Sequence, residues 1–328
     1  MRAVLCREWG KPEQLAVAEV PDPGATGPGE VRLATAAAGI NFADLLMVSG
    51  QYQVRPPLPF TPGLEVAGVV TACGAGVTRV LPGDRVLAML DHGGYAEQAV
   101  AREDDVHVLP PGMDMATAAG FAVTYGTALG ALCWRANLLA GERLLVHGAG
   151  GGTGLAAVEV GKRLGATVIA TAGDPDKLAL AADHGADHLI DYRREDIRAR
   201  VKEICGGVDV VFDPVGGDAF DASLRAVNWG GRLVIIGFAG GRIQQVPANI
   251  LLVKNAAAVG FFWGSYRQHR PDMIRVGLTE LFGWHQCGAL KPHTSQRFDL
   301  AATGEALALM RDRRSSGKIV LTTGAALD

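Results

Sequence analysis

A run of glycines in the middle of the chain separates an apolar segment from an Ala-rich one. Residues 143–154 read RLLVHGAGGGTG, with the spacing Ala149-x-Gly151-x-x-Gly154. Placed after a buried strand and before a helix, this spacing brings helix N-terminal N–H groups to a pyrophosphate. It therefore predicts a dinucleotide site rather than a purely structural turn. The predicted phosphate-binding residues are Gly150, Gly151, Gly152, Thr153 and Gly154.

The segment around this turn alternates strand-like and helix-like patterns. TVIATAG, HLIDY, VDVVFDPV and RLVIIGFAG are continuous apolar runs, which is typical of parallel strands covered on both faces. Helical stretches such as 152–165 and 174–185 lie between the first of them. We therefore predict an α/β fold with a doubly wound Rossmann dinucleotide-binding domain over residues 123–262.

The two ends of the chain have a different pattern. Residues 1–102 are short β runs separated by Pro and Gly clusters, and a helical pattern begins near Met115. After residue 262 the sequence predicts a helix over 272–286, a polar loop, a short Ala/Leu helix and a final strand, KIVLTT. This tail is too short for a third domain. We expect residues 1–122 and 263–328 to form one mostly β domain.

The adenosine end of the cofactor is expected about 20 residues beyond the glycine turn, where NAD-binding chains carry a carboxylate. Here that place is taken by Gly173, which leaves room for a 2′-phosphate, and Lys177 follows as a cationic partner. Asp174 and Asp176 flank this place and would repel a phosphate unless they point away. Asp174 has a structural alternative, because Asp-Pro fits an N-cap followed by proline at the first helical position. Lys177 could instead only solvate its helix. On balance the sequence predicts NADPH.

Composition narrows the classes of partner and location. The net charge of −3 gives no basic footprint for nucleic acid. No uncharged run reaches membrane-spanning length, and the charged N-terminus does not resemble a secretory signal, so we expect a cytoplasmic protein without a membrane partner. Five scattered cysteines form no Cys-x-x-Cys pair and are expected to be reduced.

Four stretches resemble the medium-chain dehydrogenase/reductase superfamily, and within it the zinc-free quinone oxidoreductase group of zeta-crystallin and the quinone oxidoreductase-like proteins. They are GINFADLLMVSGQY (39–52), PFTPGLEVAGVV (59–70), VHGAGGGTGLAAVEV (146–160) and GFAGG (237–241). The resemblance implies a GroES-like catalytic domain formed by both chain ends around an inserted Rossmann domain. It also implies a homodimer, for which the strand-like segment 256–262 is a candidate sheet edge.

The same resemblance implies further cofactor contacts. Thr127 would approach the phosphates or the nicotinamide, and Tyr192 the adenine or its ribose. Gly237 and Phe238 would lie at the nicotinamide end of the sheet. Each of these residues could instead serve packing or a turn.

Zinc ligands are not expected in this chain. The zinc-dependent relatives carry a Cys near the position of Asn41 and Gly-His-Glu where this chain has Gly63-Leu64-Glu65. Their structural-zinc cysteines have no counterpart here, and a tetrahedral zinc site needs such thiolate or imidazole ligands. His184 and His188 have the spacing of a ligand pair, but a helix end between them makes them surface histidines.

Without a metal to stabilise an alkoxide, hydride transfer favours acceptors whose reduced form is delocalised. A quinone or an α,β-unsaturated carbonyl is therefore the predicted small-molecule substrate. Asn41 and Tyr52 match the polar positions that the family places near the nicotinamide, and could hold a substrate carbonyl. Asn41 could equally cap the helix that it begins, with Asp44 adding charge to its first turn. Tyr52 could be an ordinary half-buried aromatic.

Two other functions remain open at this point. An enoyl-thioester (acyl-CoA) reductase would use the same hydride geometry but needs cations for the CoA phosphates, for which Arg55, Arg267 and Arg270 are candidates. A non-catalytic crystallin-like or RNA-binding protein is the alternative from another class. The acidic net charge and the presence of Asn41 and Tyr52 disfavour it.

Overall fold

The computed structural model of the chain describes residues 1–325. Strands in this part are β1 (Arg2–Leu5), β2 (Ala16–Glu19), β3 (Glu30–Ile40), β4 (Glu65–Cys73), β5 (Arg85–Met89), β6 (Gln98–Arg102), β7 (Val106–Val108), β8 (Arg143–Val146), β9 (Thr167–Ala172), β10 (His188–Asp191), β11 (Val208–Asp213), β12 (Val227–Ile235), β13 (Ala257–Gly260), β14 (Thr294–Asp299) and β15 (Lys318–Thr322).

Helices in the same part are α1 (Phe42–Val48), α2 (Met115–Ala119), α3 (Ala122–Leu129), α4 (Gly152–Arg163), α5 (Pro175–Asp183), α6 (Ile197–Cys205), α7 (Gly217–Ala226), α8 (Ala248–Lys254), α9 (Trp263–His269), α10 (Pro271–Gln286) and α11 (Thr303–Arg311). No helix within residues 1–325 is both long and apolar enough to cross a bilayer.

The chain divides into two compact units. The first comprises residues 1–123, 269–275 and 292–325, and the second comprises residues 124–268 and 276–291. The first unit therefore contains both ends of the described chain, as the sequence pattern suggests. Most of the helix predicted at 272–286 belongs to the second unit, although the sequence pattern assigns everything after residue 262 to the first.

The second unit is built on a six-stranded parallel sheet with the order β10-β9-β8-β11-β12-β13. The order reverses at β8, and in open α/β sheets ligands bind beside the carboxyl ends of the strands at such a point. Apolar side chains from strands and helices, among them Leu145, Ile169, Val211 and Phe220, fill a fully buried core. This is the doubly wound Rossmann domain predicted from the continuous apolar runs.

The first unit contains a seven-stranded sheet with the order β14-β15-β3-β4-β5-β7, and β6 also pairs with β3. All of its strand pairs are antiparallel except β14 with β15. Leu33, Val66, Val86 and Ile319 are fully buried in its core. This mostly β unit is the GroES-like domain expected from both chain ends.

One segment of the tail differs from the prediction. The polar loop expected after residue 286 contains β14, whose side chains are mostly half-buried or exposed. The pattern TSQRFD lacks the apolar alternation of a half-buried strand. Pairing with β15 fixes this segment as a strand, and the sequence around it gives no sign of that pairing.

Candidate functional site

The glycine turn joins β8 to α4 in the second unit. Strand β8 ends at Val146, and α4 begins at Gly152 with Gly151 as its N-cap residue. Gly151 supplies no side-chain cap to this 12-residue helix. A helix N-terminus without such a cap suits an anion, because its first N–H groups have no intrahelical partner. A Cβ added to Gly154 would lie 2.2 Å from the carbonyl oxygen of Gly148. The turn therefore requires glycine at 154, and its geometry suits a pyrophosphate.

The predicted 2′-phosphate residues meet beside this turn. The stem of Lys177 packs so closely on Gly150 that a Cβ there would lie 2.5 Å from the Lys177 Cβ. The ring of Tyr192 covers Gly173, where an added Cβ would lie 2.6 Å from the ring Cζ. The space at Gly173 is thus occupied by the Tyr192 ring, and Gly150, Gly173, Lys177 and Tyr192 form one corner of the unit.

Asp174 is the N-cap residue of α5. Its carboxylate accepts hydrogen bonds from the backbone N–H groups of Asp176 (2.9 Å) and Lys177 (3.4 Å) at the start of α5. Pro175 occupies the first helical position. The predicted Asp-Pro cap is therefore confirmed. The negative charge of Asp174 lies at the N-terminus of α5, where the helix dipole stabilises a negative charge.

The loops after β11 and β12 meet at the same carboxyl edge of the sheet. Backbone N–H groups of residues 239–240 donate to the carbonyl oxygens of Pro214–Val215 at 3.0 and 2.8 Å. Pro214–Val215 also approaches the glycine turn, because a Cβ on Gly148 would lie 3.5 Å from Val215 Cγ2. Gly237–Phe238 thus lies beside the turn region, with Phe238 38% exposed. Thr127, in α3, is buried at 6% exposure.

Asp213, at the end of β11, holds the turn beside the glycine turn, and the sequence analysis did not identify it. Its Oδ1 accepts hydrogen bonds from the N–H groups of Val215 (2.8 Å) and Gly216 (2.9 Å), and the side chain is fully buried. Gly216 has φ +72°, and Gln244 Oε1 lies close above it. The sequence pattern that could have indicated this residue is a second buried strand followed by Pro-Val-Gly-Gly, a glycine-containing turn like the one after β8.

In the first unit, Asn41 belongs to a buried polar cluster. Nζ of Lys318 donates to Asn41 Oδ1 and to Glu65 Oε1, each at 2.6 Å. Nδ2 of Asn41 donates to Glu65 Oε1 (3.0 Å) and makes a longer contact to the carbonyl oxygen of Gly39 (3.4 Å). Glu65 Oε2 accepts from the N–H of Val123 at 3.0 Å. Lys318 and Glu65 were not among the predicted site residues.

Asn41 is also the N-cap residue of α1, as its capping alternative predicted. Its backbone N–H donates to Asp44 Oδ2 at 2.8 Å. The charge that Asp44 was expected to add to the first turn is reduced at neutral pH, because complete burial raises the pKa of its carboxyl to about 7. At neutral pH a large fraction of Asp44 is therefore protonated.

The other predicted polar residues, a tyrosine and three arginines, differ in burial and in their contacts. Tyr52 packs beside the buried apolar cluster of Cys6, Met47, Val48 and Phe60. Arg55 is exposed, Arg267 is buried at 9% exposure, and Arg270 is paired with Asp272 at 2.9 Å.

The two histidines with ligand-like spacing both follow a helix end, which the sequence analysis had placed between them. Helix α5 ends at Asp183, before His184 and His188. His188 is exposed, but the prediction of a surface position for His184 was wrong. Its side chain is only 10% exposed, and its Nδ1 lies 2.6 Å from Glu159 Oε1. Within residues 1–325, no group of three or more His, Cys, Asp or Glu side chains could hold a metal ion.

Comparison with known proteins identifies the family of the chain. A family described as zinc-binding dehydrogenase matches residues 152–278, and one described as alcohol dehydrogenase GroES-like domain matches residues 27–111. Rat quinone oxidoreductase-like protein 2 is 41% identical, with 98% of this chain and 92% of that protein covered. The chain belongs to the quinone oxidoreductase group of the medium-chain dehydrogenase/reductase superfamily.

Other relatives agree with this assignment. The quinone oxidoreductase of Pseudomonas aeruginosa is 38% identical, with 95% of this chain and 97% of that protein covered. The structure of Escherichia coli quinone oxidoreductase complexed with NADPH matches with a TM-score of 0.90 and 30% identity, covering 98% of this chain and 100% of that one. This member of the group is an oxidoreductase with the same two-domain fold class.

Proposed function

We propose that this oxidoreductase uses NADPH to reduce a quinone or an α,β-unsaturated carbonyl compound without a metal ion. The observation that carries the proposal is the corner formed by Gly150, Gly173, Lys177 and Tyr192 beside an uncapped helix N-terminus. The cation there and the tied carboxylate of Asp174 favour a ligand with an additional phosphate. The structure of the Escherichia coli relative is described as a complex with NADPH.

The residues of the second unit suit distinct parts of this cofactor. Gly150, Gly151, Gly152, Thr153 and Gly154 would hold the pyrophosphate, and Lys177 and Tyr192 would hold the 2′-phosphate and ribose at Gly173. Thr127, Gly237 and Phe238 are the candidates for the nicotinamide end. When bound, the cofactor supplies the hydride.

Substrate contacts are proposed for Asn41 and Tyr52. An amide N–H and a phenol O–H both donate hydrogen bonds, so each could stabilise the negative charge that grows on a carbonyl oxygen as hydride reaches the conjugated system. The resulting enolate or phenolate is delocalised and can take its proton from water. In the first unit, the Lys318 ammonium donates to Asn41 Oδ1 at 2.6 Å and places a positive charge beside this amide.

The enoyl-thioester alternative needs cations that can reach CoA phosphates. Arg270 is engaged with Asp272 and Arg267 is buried, so Arg55 is the one exposed candidate of the three that forms no ion pair within residues 1–325. A non-catalytic role gains no specific support, because the rat and Pseudomonas aeruginosa relatives carry the names quinone oxidoreductase-like protein 2 and quinone oxidoreductase.

NADPH oxidation measured with 1,2-naphthoquinone, a simple enone and crotonyl-CoA tests the proposal. We expect turnover with the first two, a clear preference for NADPH over NADH, and no change after dialysis against a zinc chelator. Tyr52→Phe should reduce kcat while leaving the Kd for NADPH unchanged. Turnover of crotonyl-CoA alone would support the thioester reductase, and no turnover with any acceptor would reject both enzymatic proposals.

A homodimer formed through β13 is also part of the proposal. Strand β13 is an edge of the parallel sheet, and Leu252 and Val253 in the preceding helix are 78% and 77% exposed. An unpaired edge with apolar neighbours favours pairing with a second copy. Sedimentation equilibrium should give twice the chain mass for the wild type. Leu252→Glu with Val253→Glu should shift the protein toward a monomer, and an unchanged mass would reject this interface.

A further inference from the structure

We propose that Lys318 and Glu65 act together as positioning residues that fix the side-chain amide of Asn41 in one orientation, with an N–H directed to the substrate carbonyl. The inference rests on the proposed function for its catalytic consequence. The fixed orientation itself follows from the buried contacts of the first unit.

The three residues come together because of strand pairing. Asn41 directly follows β3, Glu65 begins β4, and Lys318 begins β15. Strand β3 pairs antiparallel with β15 and with β4, with Ile40 opposite Ile319 and Ala38 opposite Val66. The end of β3 and the starts of β4 and β15 therefore lie at the same edge of the sheet, although Lys318 and Asn41 are 277 residues apart in sequence.

The hydrogen-bonding chemistry of the three groups leaves one orientation for the amide. An ammonium only donates and an ionised carboxylate only accepts. The atom of Asn41 that faces Lys318 Nζ must therefore be Oδ1, and the atom that faces Glu65 Oε1 must be Nδ2. Turning the amide by 180° would place N–H against an ammonium and a carbonyl oxygen against a carboxylate.

This orientation leaves one hydrogen of Asn41 available. One Nδ2 hydrogen is directed to Glu65 Oε1 at 3.0 Å, while the other faces only the carbonyl oxygen of Gly39 at 3.4 Å. A contact of that length is weak and easily exchanged for a better acceptor. The available hydrogen is therefore a donor, which is the property that a substrate oxygen gaining negative charge requires.

The Lys318 and Glu65 side chains are buried and pack closely against two glycines. A Cβ added to Gly39 would lie 2.7 Å from Glu65 Oε1, and one added to Gly120 would lie 2.4 Å from Lys318 Cγ. Lys318 and Glu65 side chains are only 8% and 2% exposed, and Asn41 is 7% exposed. Buried ions need several hydrogen bonds to be tolerated, and Glu65 accepts three here.

Two variants separate this role from simple stabilisation. Lys318→Met leaves the Glu65 charge buried without its partner, so we expect the Tm to fall by roughly 5–10 °C and activity to fall with it. Lys318→Met with Glu65→Gln removes both charges in side chains of similar size. This double variant should recover most of the Tm, but nothing then dictates the orientation of the Asn41 amide.

In the double variant we expect kcat with 1,2-naphthoquinone to stay about 10- to 100-fold below wild type, because a catalytic donor is no longer fixed. The KM for NADPH should be unchanged. The matched control is Arg232→Met with Glu142→Gln, which removes an ion pair of 2.7 Å in the second unit and should leave kcat unchanged. Recovery of kcat together with Tm in the Lys318/Glu65 double variant would overturn the proposal.

A readout without turnover tests the fixed amide separately. The Nδ2 hydrogens of Asn41, assigned in ¹⁵N–¹H spectra by their loss in Asn41→Ala, should exchange slowly in the wild type. Exchange should be at least about tenfold faster in the double variant, because the opening free energy is lower. Equal exchange in both proteins would reject the fixed orientation. Slow exchange in a wild type that reduces no acceptor would retain it and reject only the proposed function.

Discussion

The phenol ring of Tyr192 lies directly over the Cα of Gly173, so that a Cβ at position 173 would be 2.6 Å from the ring Cζ and 2.7 Å from its oxygen. Glycine is therefore needed here for a contact between side chain and backbone at the ends of β9 and β10. The sequence analysis explained the same glycine by the room that it leaves for a phosphate. In the structure, the residue that uses this room is Tyr192.

Gly173→Ala should displace the Tyr192 ring and weaken the binding of NADPH. Tyr192 is 44% exposed and can move, so we expect little loss of protein stability. The Kd for NADPH, measured by nucleotide fluorescence, should rise about tenfold, or roughly 1.4 kcal/mol. Gly283→Ala is the matched control, since a Cβ there meets no atom within 4 Å. Equal NADPH affinity in both variants would contradict the proposed role of the Gly173–Tyr192 contact.

Lys177→Met should weaken the binding of NADPH much more than the binding of NADH. Methionine keeps the apolar stem that packs on Gly150 but removes the charge. Loss of a charge-assisted bond to the 2′-phosphate should raise the Kd for NADPH about 10- to 100-fold and that for NADH less than about twofold. Isothermal titration with both cofactors measures this difference. Parallel losses would show that Lys177 does not contact the phosphate.

Asp44→Asn should stabilise the protein more as pH rises. Burial raises the pKa of the wild-type carboxyl to about 7, from an ordinary value near 3.8. The protonated carboxyl therefore favours the folded state below pH 4, and this contribution is lost as pH rises toward 7. The neutral amide of asparagine has no such loss.

The expected gain for Asp44→Asn is near zero at pH 4 and on the order of 2–4 kcal/mol at pH 8. Urea unfolding at a series of pH values would measure it. A gain that did not change with pH would mean that Asp44 does not titrate in this range.

His107→Gln should change stability in the opposite pH direction. Burial lowers the pKa of His107 to about 4, from an ordinary value near 6.5. The neutral ring favours the folded state above pH 6.5, and this contribution is lost as pH falls through 4. The variant should therefore lose less stability than wild type between pH 6.5 and 4, by roughly 3 kcal/mol. Identical acid unfolding midpoints for the two proteins would contradict this assignment.

Local sequence patterns predicted the dinucleotide half of the molecule well. The glycine turn, the buried parallel strands and the Asp174 cap all depend on residues that are neighbours in the chain. The φ angles, the strand periodicity and the helix N-terminus follow from such short-range sterics and hydrogen bonding. Strand β14 was missed because its polar pattern gains its strand conformation only by pairing with β15.

The sequence by itself determined that the chain has a Rossmann domain with a glycine turn, and it offered helix capping as one of two roles for Asn41. It did not determine what the Asn41 side chain contacts. Tertiary structure decided that, because strand pairing brings Lys318 and Glu65 to Asn41 across 277 and 24 residues of sequence. A buried ammonium and a buried carboxylate must form hydrogen bonds with each other and with the amide beside them. A local sequence pattern does not show these hydrogen bonds, because the three residues are distant in sequence.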